Sequence, residues 1–131
     1  MRVLVIAVAL AVPLAAGAKT GTGWSRASDL SVYQAMDEFG DIAREQEVLC
    51  RKRDPASVAT RWSNRFAARE ARVAAALSAR YGANAVSQAR TLQGERQPCE
   101  TLFARSWARN HGKLLDLLEM RLFAPNVRTR S

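Results

Sequence analysis

The sequence predicts an all-α protein: a small antiparallel helical bundle of three long helices plus one short helix, stapled by a disulfide. Three observations carry this. Apolar residues recur at steps of three and four along three long stretches, the mark of one-sided helices. No stretch alternates apolar and polar residues with the period of two that a half-buried strand needs. The two cysteines, Cys50 and Cys99, close the first long stretch and open the last.

The elements follow in chain order. Met1-Arg2 precedes an apolar run from Val3 to Ala16, interrupted by Pro13, and then the triplet Ala16-Gly17-Ala18. A positive start, an apolar middle and an A-x-A-like end describe a secretory signal peptide over 1–18, cut after Ala18. The alternative is an uncleaved anchor, but a spanning helix takes roughly 20 apolar residues and this run is shorter. The signal peptide is thus the sole membrane contact expected, and the address is the periplasm or the exterior. Residues 19–28, Gly/Thr/Ser-rich and aperiodic, read as a flexible leader. Residues 29–124 form the bundle domain and 125–131 a frayed tail.

The first helix is expected from near Leu30, with Ser31 and Gln34 as a capping box. Val32, Met36, Phe39, Ala43, Gln46 and Cys50 form its apolar stripe, which Ile42 and Leu49 widen. Pro55 ends it, because the residue before a proline is pushed out of the α region. Asp54 then caps a second helix with Pro55 in its first position. Val58, Trp62, Phe66, Val73, Leu77 and Tyr81 are its stripe, and Gly82 is its stop. A short third helix spans 83–93, closed by Gly94. Pro98 opens the last helix, whose broad apolar face holds Cys99, Phe103, Trp107, Leu114, Leu118 and Leu122. Asn110-His111-Gly112 is its weak point, because mid-helix glycine costs about 1 kcal/mol against alanine. Pro125 ends it.

An even cysteine count in an exported chain implies a disulfide. The bundle order agrees, since the end of a first helix and the start of a fourth lie at one pole. The Cys50–Cys99 spacing is unlike the Cys-x-x-Cys of a redox pair.

Charge is unevenly spread in a chain of formal charge +8. Asp29, Asp37, Glu38, Asp41, Glu45 and Glu47 crowd the first helix, whereas bases dominate everything after Cys50. The second helix carries Arg61, Arg65, Arg69, Arg72 and Arg80 at helical spacing. Arginine reads carboxylate and phosphate bidentately, so this face is the candidate site for an anionic partner. The competing reading has the acidic first helix packing alongside and neutralising it.

Chemistry has little else to use. There is one histidine, His111, and no set of ligands for a structural zinc. No Cys-x-x-Cys-His attaches haem. Met36 and His111, the one Met/His pair considered, are offset by some 7 Å along the bundle. G-x-S-x-G, H-E-x-x-H and glycine-rich phosphate loops are absent, and His111 reads as a surface or kink residue. The expectation is a non-enzymatic exported binding protein with no cofactor or metal. Its partner is a protein or an anionic envelope component, not a specific nucleic acid. The alternative is an accessory subunit packing helix on helix as an oligomer; a cofactor-binding or catalytic bundle ranks third.

Overall fold

The computed structural model describes residues 21–91, 99 and 104–124. The signal peptide (1–18), Gly94, Pro98, Phe103 and the tail (125–131) lie outside the described residues. Among the described residues every regular element is helical: α1 Gly21–Ser25, α2 Asp29–Leu49, α3 Pro55–Trp62, α4 Ala68–Tyr81, α5 Ala83–Thr91 and α6 Ala104–Phe123. A π turn, Ser63–Ala67, joins α3 to α4 without a break in the rod. The protein is an all-α helical bundle with a Cys50–Cys99 disulfide.

Contacts between distant residues fix how the rods run. Asp29 meets Arg121, Gly40 meets His111, and Cys50 is bonded to Cys99. Residue numbers rise along α2 as they fall along α6, so the two are antiparallel over their length. Glu47 meets Trp62 while Asp29 meets Tyr81, so α3–α4 is also antiparallel to α2. Helix α5 lies against α2 and α4, with Arg90 reaching Asp37 at 4.0 Å. It starts the return to the Cys50 pole that three long helices and a short connector require.

Local chemistry sets the ends. Ser28, three residues before the expected Ser31, caps α2: its hydroxyl accepts from the Ser31 N–H at 3.2 Å. Asp29 therefore falls inside the first turn, where an acid suits the helix dipole. Asp54 caps α3 as its position implies, accepting from the Ser57 N–H at 2.9 Å with Pro55 next in line. Gly82 stops α4 at φ 98°, a conformation that side chains disfavour.

Three expectations are corrected. The leader over 19–28 contains a helical turn, α1. Trp24 sets its ring edge-on to Phe39 at 6.3 Å. Arg121 donates to the carbonyls of Trp24, Ser25 and Ala27 at 2.9–3.1 Å, satisfying groups a short helix end leaves free. Leu49, assigned to the apolar stripe, is exposed, as is Tyr81, whose hydroxyl donates to Asp29 at 2.7 Å. His111 is neither a surface nor a kink residue: it is 1% exposed in an α6 that runs unbroken through Gly112.

The core is otherwise the stripes themselves. Val32, Met36, Val58, Val73, Leu77, Leu115 and Leu118 are almost wholly buried, with Trp62, Phe66 and Leu114 beside them. Burying such side chains contributes roughly 1.5–3 kcal/mol each and is the main term holding the rods together.

Candidate functional site

The five arginines singled out from the sequence do not act as one stripe. Arg61 pairs with Glu47 at the end of α2. Arg69 reaches α6, its guanidinium donating to Glu119 at 2.7 and 2.9 Å and to Asp116 at 2.7 Å. Arg72 lies 4.4 Å over the Phe123 ring. Arg80 pairs with Asp29 at 3.3 Å, at the opposite pole. Arg65 lies 5.0 Å over Phe66 and has no carboxylate partner among the described residues. Neutralisation therefore comes from two helices, with α6 supplying acids as well as α2.

The ionisation of those acids follows. Burial pushes Glu47 up, but hydrogen bonds from Arg61 and from the Trp62 indole (3.0 Å) outweigh it, and its carboxyl sits below the usual range. Burial likewise opposes, and Tyr81, Arg121 and Arg80 overcome, the shift at Asp29, which is also lowered. The Arg69 hydrogen bond lowers Glu119.

A cleft of about 440 Å³ opens between α3, the π turn and α6. Arg61 and Arg65 stand on one wall, Arg109 and Lys113 on the other, and Trp62 and Phe66 contribute to its lining. Gly112 leaves the α6 wall without a side chain at that level. Glu47 and Asp116 also line it, each tied to an arginine. Arg65, Arg109 and Lys113 have no ion-pair partner among the described residues. Arg109 and Lys113 were missed from the sequence because their four-residue spacing shows on α6 alone; facing Arg61 and Arg65 takes the tertiary fold.

Beneath the cleft lies a polar pair that the sequence reading also missed. His111 Nε2 is 2.6 Å from a Glu70 carboxylate oxygen. Its ring stands edge-on to Phe66 and Trp62, centroids 4.5 and 5.1 Å apart. Nδ1 is buried with no hydrogen-bond partner. With Nε2 on a carboxylate, the neutral ring carries its proton there, leaving Nδ1 as a bare acceptor. A signal for the pair exists: the stripes of α3–α4 and α6 each take one step of seven, Phe66 to Val73 and Trp107 to Leu114. Glu70 and His111 fill those gaps.

The arrangement is suited to charge recognition. The ring's Nε2 hydrogen bond goes to Glu70, and Nδ1 has no hydrogen-bond partner among the described residues. No three His, Cys, Asp or Glu side chains come together among the described residues as a metal-holding group. Met36 packs in the core one helical turn before Gly40, and so one turn off the level of His111. No helix among the described residues is long and apolar enough to cross a membrane. No family model, curated protein or solved structure matches the chain.

Proposed function

We propose that this is an exported, non-catalytic helical binding protein that docks an anionic partner in the cleft walled by Arg61, Arg65, Arg109 and Lys113. The observation that supports this best is the convergence of four cations from two helices, three of them without a carboxylate partner. Three solvated like charges repel, and folding does not require them to gather. An anion entering there relieves that repulsion and gains charge-assisted hydrogen bonds. Export is read from residues 1–18, and the disulfide fits an oxidising compartment.

The test is retention on heparin and on phosphatidylglycerol vesicles. Binding should weaken steeply with salt, as counterion release demands. Replacing Arg65 and Lys113 with alanine together should weaken it about a hundredfold or more, since charged hydrogen bonds contribute roughly 1.5–3 kcal/mol each when ordered. Arg80→Ala, at the far pole, should leave it unchanged. A protein that neither matrix retains at low salt would end this reading. The second reading, a subunit packing helix on helix, draws on exposed Met120 and Phe123 near the end of α6; sedimentation as a dimer would favour it.

A further inference from the structure

We propose that the His111–Glu70 pair makes the anion affinity of the cleft depend on pH, rising as the imidazole takes up a proton. The inference rests on the cleft being the docking site, and it adds how that site is regulated.

The geometry places the His111 imidazole one layer under the cleft, while its partner Glu70 is partly exposed in a neighbouring groove that it lines with Arg44, Trp62 and Phe66. Trp62 and Phe66 line the cleft and are also the rings in edge contact with the imidazole. With His111 neutral and Glu70 ionised, that layer holds one negative charge. With His111 protonated, the two cancel. An anion seated above therefore meets a less negative field after proton uptake. The intervening aromatic layer is apolar, so screening there is weaker than in water.

The surrounding charges do not duplicate the effect. From α2, Arg44 lies 3.4 Å from the Cβ position of Gly40, beside the imidazole, and Asp37 and Tyr33 face Glu70. Asp37 is itself approached by Arg90 of α5. From α4 the group is Glu70, and on α6 the nearest in sequence are Arg109 and Lys113, each two residues away. The α3 and π-turn residues touching the ring, Trp62 and Phe66, carry no charge. Burial, then repulsion from Asp41, raises Asp37, so it is a competing titration. Linkage makes the effect reciprocal: if the proton tightens the anion, the anion must raise the imidazole's proton affinity by the same factor.

The chain has a single histidine, so its imidazole NMR signals belong to His111 without assignment. The probe is heparin, whose sulfates stay ionised over the range, on the tag-free protein at about pH 5.5 and about pH 8, either side of ordinary imidazole titration. The expected result is roughly fivefold tighter binding at the lower pH, within the usual span of coupling between sites. His111→Gln should bind with little pH dependence. If that variant fails to fold, the wild type decides: heparin should move the midpoint of the His111 titration upward. Equal affinity at both pH values, or a midpoint that heparin leaves unmoved, overturns the proposal while the docking site stands. No heparin binding at either pH overturns the docking site and the proposal with it.

Discussion

Gly40 shows how one missing side chain shapes the molecule. A Cβ there would sit 2.9 Å from Cδ2 of His111, inside any real contact. The imidazole cannot give way easily, being held by Glu70 and by the Trp62 and Phe66 rings. Glycine in mid-helix costs α2 about 1 kcal/mol of helix propensity, and the close approach of α2 to α6 is what it allows. For Gly40→Ala, the recovered propensity works against an overpacking cost of typically 1–3 kcal/mol. Overpacking should win: we expect a net loss of about 1 kcal/mol, read as a lower urea midpoint with an unchanged slope. If Gly40→Ala is more stable than the wild type, the ring is not held as described. Glu70→Ala should be worse, at roughly 2 kcal/mol, because it strips the buried imidazole of its hydrogen-bond partner.

At the scale of elements, the π turn Ser63–Ala67 was the least legible feature. In an α-helix a step of four overshoots a turn by about 40°. Val58, Trp62, Phe66 and Glu70 are spaced by successive fours, so along an unbroken α-helix they would drift around the rod. The wider i→i+5 turn takes up the drift and keeps Trp62, Phe66 and Glu70 against His111. The apolar spacing marked a helix and its caps, because periodicity and the Asp54-Pro55 and Gly82 signals are local. It could not show which turn widens, since that is decided by what His111 presents from another helix. For the same reason the stripes are legible in the sequence while the pairing of Glu70 with His111, read there as a surface or kink residue, is not: it takes two helices meeting. Of the arginines, helical spacing placed all five on α3–α4, yet their division between cleft and ion pairs depends on where α2 and α6 put their acids. Deleting the exposed Asn64 removes the one extra residue that the wide turn holds, so the turn should close as an α-helix with Val58 and Trp62 still in register with Val73 and Leu77. The expected outcome is a retained near-UV circular dichroism signal from the buried Trp62 and a sharp urea transition. Loss of that signal, or a broadened transition, would mean that the turn does not act as a one-residue insertion in the helix.

At the scale of the whole molecule, both poles of the bundle are tied, one covalently and one by charge. The Cys50–Cys99 bond closes a loop of sequence separation 49, for which the chain-entropy model gives about 4 kcal/mol; replacing both cysteines with alanine should lower unfolding free energy by about that amount. At the other pole Asp29 accepts from Tyr81 and Arg121 and pairs with Arg80, so α2, α4 and α6 meet on one carboxylate. That makes the fold acid-sensitive with a sign that can be worked out. Asp29, Glu47 and Glu119 are lowered in the folded state, so above the unfolded carboxylate range their stabilisation is complete, and it is lost as pH falls through their folded values. Asp37 and Glu38 are raised, by burial first and then by neighbouring acids, so the fold binds their protons earlier than the unfolded chain does. On acidification from neutrality these two titrate first and add stability, before the lowered three remove it. The urea midpoint should therefore rise slightly under mild acid and then fall steeply towards the range below an ordinary aspartate, near 3.9. Asp37→Asn should reduce the rise, leaving the part due to Glu38, and Asp29→Asn should flatten the fall. A midpoint that declines steadily from neutral pH in the wild type would show that the raised carboxyls of α2 do not govern the first step.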